Sequence, residues 1–435
     1  MAFIIVGGVL GLYMAWTIGA NDVANSMADA VGSKSCTIRQ AVIAAGICEL
    51  AGAVLVGAHV TDTIRKGIVS SDALTSLPNV SEHEAAAMLV LGMICALLGA
   101  AIWLHLASWF GMPVSTTHSI VGAVAGFGIL SAGWSAVQWG KMGQIVASWV
   151  ISPVAGGIVS FLLFKLMTKF ILGSYRPARA ATRYGPFFIF LTFFVITVAI
   201  VFKGLKHVIA ADSFSWLTGY SALYVAGGVG VAAALISRWY LRRNLMVYGK
   251  EELEKQLHRV EKVFMPLVFI SSCTVAFAHG SNDVANAVGP LAAVVEVMRT
   301  GDVSMEVPVP VWVLALGGCG ITAGLAIYGY RVMTTVGSKI TEITPSRGMA
   351  ADIGAMMTVL VCSRLELPVS TTHTLVGAIL GVALARGLGA VNRGVVRNIF
   401  GSWLITVPVA AVFTIVLFLI ASYFWLDTIM EMMPS

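Results

Sequence analysis

Residues 19–26 read GANDVANS and residues 280–287 read GSNDVANA, with six of eight positions identical. Residues 113–123 read PVSTTHSIVGA and residues 368–378 read PVSTTHTLVGA, with nine of eleven identical. The two pairs recur in the same order and at similar separation: Asp22 precedes Ser115 by 93 positions, and Asp283 precedes Ser370 by 87. Ser148-Trp149 and Ser402-Trp403 add a weaker third match. Chance does not produce two such octamers in order, so the chain is read as an internal duplication. Residues 1–170 form one copy, 263–435 the other, and 171–262 connect them.

The surroundings of these motifs set the class. Of 435 residues, 58% are hydrophobic and 11% are charged, against about 25% charged in an ordinary soluble domain. Roughly 20 apolar residues in a helix cross about 30 Å of hydrocarbon, and about a dozen such stretches are present. They are expected near 2–31, 40–60, 86–108, 113–131, 139–168, 186–203, 219–240, 263–297, 309–331, 348–365, 368–387 and 397–425. The fold class is therefore an all-α polytopic membrane protein of about twelve spans. The six cysteines form no Cys-x-x-Cys pair, so neither a disulfide framework nor a zinc site is indicated. The N-terminal apolar run lacks a basic region and leads into Asn21 and Asp22, so it is read as a span and not as a cleaved signal.

Charge orients the spans. With both termini outside, 20 of the 27 Lys and Arg residues fall in cytoplasmic loops, and only Arg65, Lys66, Lys141, Lys203, Lys206, Arg299 and Arg364 do not. The positive-inside rule supports this orientation and an even number of spans. It also explains the net charge of +6 without a nucleic-acid partner. Residues 250–262, with Leu253, Leu257 and Val260 at helical spacing among charges, are expected to form a short interfacial helix. Five spans, then two, then five make the second copy antiparallel to the first. Inverted repeats are a hallmark of secondary transporters, in which substrate binds near the midplane where interrupted helices meet.

The motifs supply the chemistry. Polar residues inside apolar spans are costly and mark function. Asn21 and Asn25 lie one turn apart beside Asp22, and Asn282, Asp283 and Asn286 repeat the arrangement. Carboxylate and amide oxygens are hard ligands suited to Na⁺, and a carboxylate also holds a proton. Pro113 and Pro368 break or begin a helix, and the Ser-Thr-Thr that follows places hydroxyls at a helix N-terminus, whose N–H groups favour an anion. Two facing termini would surround one tetrahedral oxyanion. In the blander alternative, Ser115 and Ser370 are N-caps. His118 and His373 are read as packing residues in preference to a proton relay. Glu49 and Asp352 lie in apolar runs without symmetric acidic counterparts, and serve coupling or bind a neighbouring helix. Gly122-x-x-x-Gly126 and Gly377-x-x-x-Gly381 are expected to pack helices closely.

These residues resemble the inorganic phosphate transporter (PiT) family. GANDVANS with GSNDVANA and the paired PVSTTH segments carry the likeness, which covers nearly the whole chain. The short 241–262 connection resembles a prokaryotic member, since eukaryotic members carry a long cytoplasmic loop there. The resemblance implies a cation-coupled phosphate symporter of the cell (inner or plasma) membrane, forming a homodimer, with Na⁺ or H⁺ as coupling ion and no other cofactor. It implies phosphate contacts from Ser115, Thr116, Thr117, Ser370, Thr371 and Thr372, with Asn25 and Asn286 beside them. It implies cation binding or coupling by Asn21, Asp22, Asn282, Asp283, Glu49 and Asp352, with Na⁺ at Asp22 and Asp283. Phosphate is preferred to sulfate because it keeps a P–OH that can donate to a carboxylate. Two other classes compete. An intramembrane hydrolase would use Ser115, His118 and Asp22, but no Gly-x-Ser-x-Gly elbow is present. A passive anion channel would be hindered by acids beside the anion.

Overall fold

Hydrocarbon offers no water to a backbone N–H or C=O, so an apolar chain crossing it closes its hydrogen bonds within helices. The computed structural model describes residues 2–57, 74–75, 77–78, 80–201, 220–245, 252–301, 309–364 and 369–433. Arg65, Lys66, Lys203, Lys206 and Pro368, named above, lie outside these residues, as do positions 250 and 251. Among the described residues every regular element is helical. The longer ones, in chain order, are α1 Ala2–Ile18, α2 Ile38–Val56, α3 Glu82–Trp109, α4 Thr116–Ala132, α5 Trp139–Met167 and α6 Pro177–Ala199. Then follow α7 Tyr220–Leu245, α8 Leu253–Thr300, α9 Val311–Tyr328, α10 Pro345–Arg364, α11 Thr371–Arg386 and α12 Arg393–Met432.

Nine helical stretches among the described residues are long and apolar enough to cross a bilayer. The segments around α4, α10 and α11, expected above as spans, are not in that set. α4 and α11 have 17 and 16 residues, about 25 Å at 1.5 Å per residue, short of roughly 30 Å of hydrocarbon. α10 is diluted by Ser346, Arg347 and Asp352. The core is α3, whose most apolar stretch is 83% buried, whereas that of α7 is 17% buried and faces outward.

Two expectations change. Residues 253–262 do not form a separate interfacial helix; they are the first turns of the 48-residue α8. The charged face of that segment merges into the span because no Gly or Pro intervenes before Pro266, so a boundary at 262 would cut one helix. The two Asn-Asp motifs also differ. The first interrupts its helix, with a π-helical turn at Gly19–Val23, a short turn Ala24–Ser26 and a break at Met27 before Ala28–Gly32. The second lies in the uninterrupted α8, because Asn282, Asp283 and Asn286 fit helical periodicity without distortion. The proline that follows them, Pro290, removes one N–H and so frees the Asn286 carbonyl.

The small-residue motifs pack as expected, and they do so across the two halves. A Cβ on Gly122 would lie 2.6 Å from the Val407 carbonyl oxygen, and one on Gly126 2.8 Å from Ala411 Cα, so α4 runs against α12. A Cβ on Gly377 would lie 2.5 Å from Pro153 Cα, and one on Gly381 2.7 Å from Gly157 Cα, so α11 runs against α5. Val407 and Ala411 stand to Ser402-Trp403 as Pro153 and Gly157 stand to Ser148-Trp149. Each half therefore buries the other's short motif helix through corresponding positions.

Candidate functional site

The short helices α4 and α11 begin at the paired motifs. Ser115 and Ser370 occupy the N-cap position in extended conformation, and their Oγ atoms accept the N–H of His118 at 3.3 Å and of His373 at 3.2 Å. The capping role is thus real, and each hydroxyl proton remains free to donate. Trp403 Nε1 donates to the Pro113 carbonyl at 2.9 Å and fixes the extended stretch before α4.

Asp22, 2% exposed, joins both short helices. Its Oδ2 accepts from Thr116 N at 3.1 Å and Thr116 Oγ1 at 2.6 Å, and its Oδ1 accepts from Thr372 Oγ1 at 2.8 Å. Asn25 Nδ2 donates to Thr372 Oγ1 at 3.1 Å, while Asn286 Nδ2 donates to Thr116 Oγ1 at 3.1 Å and Thr117 Oγ1 at 3.4 Å. Thr371 Oγ1 donates to Asp283 Oδ2 at 3.4 Å. Two of these contacts repeat between the copies: Thr116–Asp22 with Thr371–Asp283, and Asn25–Thr372 with Asn286–Thr117. The amide oxygens of Asn25 and Asn286 are buried and accept no hydrogen bond from a described residue. Thr117 and Thr371 are partly exposed, whereas Thr116 and Thr372 are buried.

His279 was missed in the sequence. Its Nδ1 lies 3.0 Å from Glu49 Oε1 and its Nε2 lies 2.8 Å from Asp283 Oδ2, with Asp22 Oδ2 at 4.0 Å. Asp22, His279 and Asp283 bring ligand atoms within 4.8 Å of one another. A cue did exist, since His279 stands one turn before Asp283 on the same helical face. The duplication does not mark it, because Ile18 occupies the corresponding place in the first copy.

Other expected residues lie elsewhere. Asn21 is engaged in holding the chain before α4: its Nδ2 donates to Ser108 Oγ and the Met112 carbonyl, each at 3.0 Å, and its Oδ1 accepts Val114 N at 3.0 Å. It positions the extended stretch before α4. Asn282 is half-buried, and its counterpart loop includes 365–368, outside the described residues. Glu49 reaches the cluster through His279, but Asp352 does not. Asp352 Oδ2 accepts from Ser271 Oγ at 2.5 Å and Ser272 Oγ at 3.0 Å. His118 and His373 are packed as expected, against Trp149 at 3.7 Å and Trp403 at 3.6 Å and 4.3 Å from each other between ring centroids. Their ring nitrogens have no hydrogen-bond partner among the described residues. The hydrolase alternative fails on this geometry, because Ser115 Oγ meets a backbone N–H, the His118 ring packs against Trp149, and Asp22 holds threonines. The chemistry that remains is a cage of hydroxyls, amides and carboxylates between two helix N-termini, suited to an oxyanion together with hard cations.

Comparison with known proteins agrees. The profile of the phosphate transporter family matches residues 18–414. A relative in Thermococcus kodakarensis named "Putative phosphate permease" is 48% identical over 94% of this chain and 95% of its own length. An inorganic phosphate transporter 2-1, chloroplastic, of Arabidopsis thaliana is 40% identical over 97% of this chain and 71% of its own length. A solved structure described as the sodium-dependent phosphate transporter matches with a TM-score of 0.82 at 40% identity, covering 98% of this chain and 100% of that one. By profile, identity and fold the chain belongs to the phosphate transporter family and is a multi-pass membrane transporter, not an enzyme.

Proposed function

We propose that the protein carries inorganic phosphate across the cell membrane by Na⁺-coupled symport, through two inverted five-span halves and with both termini outside. The observation that carries this is Asp22, whose carboxylate bonds the N-terminal threonines of both short helices. An anion brought to those N-termini meets Asp22 and Asp283 at close quarters. Two like charges about 4 Å apart repel by roughly 4 kcal/mol at an effective dielectric constant near 20, so phosphate enters only when cations neutralise the carboxylates. That requirement is the coupling. The unpartnered amide oxygens of Asn25 and Asn286, with Asp22 and Asp283, form a hard-oxygen donor set that suits Na⁺. Phosphate then accepts hydrogen bonds from the hydroxyls of Ser115, Thr117 and Ser370, from Thr371 once a cation replaces its bond to Asp283, and from the open N–H groups of α4 and α11. Alternating access follows from moving one set of packed helices against the other.

The test is labelled phosphate uptake into proteoliposomes under an inward Na⁺ gradient or an inward H⁺ gradient, beside Asp22→Asn. Accumulation with Na⁺ alone that vanishes in Asp22→Asn is the expected result. Accumulation driven by H⁺ alone would transfer the cation role to a proton, and equal sulfate uptake would overturn the choice of phosphate.

A further inference from the structure

A second acidic pair lies outside the cluster described above. Asp29 sits on the short helix Ala28–Gly32, two turns beyond Asp22, and Asp352 sits on α10. Both are fully buried, and their carboxyl groups are within hydrogen-bonding reach of each other. α10 approaches Asp29 closely: a Cβ on Gly348, one turn before Asp352, would lie 3.3 Å from Asp29 Cβ. The donors are unequally shared. Asp352 Oδ2 takes the hydroxyls of both Ser271 and Ser272, while Asp352 Oδ1 and both oxygens of Asp29 accept nothing from a described residue. Among the described residues neither acid is paired with Lys, Arg or His; the titratable group facing them from α8 is Cys273, with Cys48 of α2 and Cys36 beyond it.

Two ionised carboxylates cannot be buried in contact without a cation between them, because desolvation and mutual repulsion both oppose it. We infer that Asp29 and Asp352 form a second cation site, distinct from the Asp22–Asp283 cluster, that holds one exchangeable proton between them. The direct approach of the carboxyls leaves room for a proton bridge. Asp352, solvated by two serine hydroxyls, is the ionised member, and Asp29 is the acid that donates to Asp352 Oδ1. The proton binds the turn after the first Asn-Asp motif to α10. Its loss sets two charges against each other and parts these elements.

The inference uses the transport function only for one of its two readouts. The first readout is the infrared spectrum of the purified full-length protein in lipid nanodiscs, wild type minus Asp29→Asn, at neutral and alkaline pH. A carboxylic-acid C=O band present in the wild type at neutral pH, lost on alkalinisation and absent from the variant is the expected result. No such difference band, or a band abolished by adding Na⁺ at constant pH, overturns the proton site. The second readout is uptake driven by whichever gradient works. Wild type is expected to lose uptake as the pH rises, whereas Asp29→Asn, whose amide donates permanently to Asp352, is expected to keep it. The same alkaline loss in both proteins overturns the inference. Failure of phosphate uptake in both would strike the proposed function and leave the infrared result standing.

Discussion

Replacing His279 by alanine should destabilise the protein chiefly through Glu49. The imidazole lies 3.0 Å from Glu49 and 2.8 Å from Asp283. Glu49 is fully buried and receives no other hydrogen bond among the described residues, whereas Asp283 keeps the Thr371 hydroxyl at 3.4 Å. Removing one partner of a buried charged pair costs about 3–5 kcal/mol, mostly because the other is left uncompensated. In a Glu49→Gln background the uncompensated charge is gone, and His279→Ala should then cost only about 1–2 kcal/mol, the loss at Asp283 and of ring packing. The coupling between the two substitutions is therefore about 2–3 kcal/mol. Equilibrium unfolding in mixed micelles, followed by tryptophan fluorescence of the four proteins, measures it. Contacting residues typically couple by 0.5–3 kcal/mol and independent ones add to within about 0.5 kcal/mol. Additivity to that level would refute the claim that His279 is what makes Glu49 tolerable in the core.

Three further outcomes are expected. Gly122→Leu and Gly377→Leu should abolish monodisperse folded protein in size-exclusion chromatography, because a side chain there meets the backbone of α12 or α5, while Gly8→Ala and Gly401→Ala, with open space around them, should behave as wild type. Asn25→Ala and Asn286→Ala should each raise the Na⁺ concentration for half-maximal phosphate uptake about tenfold, the equivalent of ~1.4 kcal/mol, with a smaller change in phosphate half-saturation at saturating Na⁺. Trp403→Phe should keep the stack on His373 but lose the bond to the Pro113 carbonyl, lowering unfolding stability by about 1 kcal/mol.

Much of this site was legible because duplication marks residues in pairs. Asp22, Asn25, Asn286 and the paired threonines converge, and the glycine motifs pack as their spacing suggested. The two residues that escaped, His279 and Asp29, both lack a twin. His279 faces Ile18 in the duplication, and Asp29 stands where the second copy has Pro290. The helix geometry was also partly hidden. One polar octamer bends its helix and the other does not, because the interruption depends on what packs beside the motif as well as on the motif itself. Asn21 looked like a ligand by type and position; only tertiary contacts reveal that Ser108, Met112 and Val114 consume its amide.

The unequal twins give the site a direction. Around Asp22 the hydrogen-bond donors are a threonine N–H and two threonine hydroxyls, and the His279 imidazole stands off at 4.0 Å. Around Asp283 the nearest partner is an imidazole, itself tied to a buried glutamate, and the threonine contact lengthens from 2.6 Å at Asp22 to 3.4 Å. Neutral donors orient a carboxylate without cancelling its charge, while an imidazole that shares a proton between Asp283 and Glu49 cancels part of the charge there. Of two carboxylates flanking one anion, Asp22 is thus the more repulsive and the one in greater need of a cation. In the proposed symport, the first copy of the motif sets the dependence on the cation, and the second, through His279, ties the site to the proton content of Glu49. In that proposal symmetry supplies the two helix N-termini for the anion, and the broken symmetry makes Asp22 the carboxylate that a cation must neutralise first.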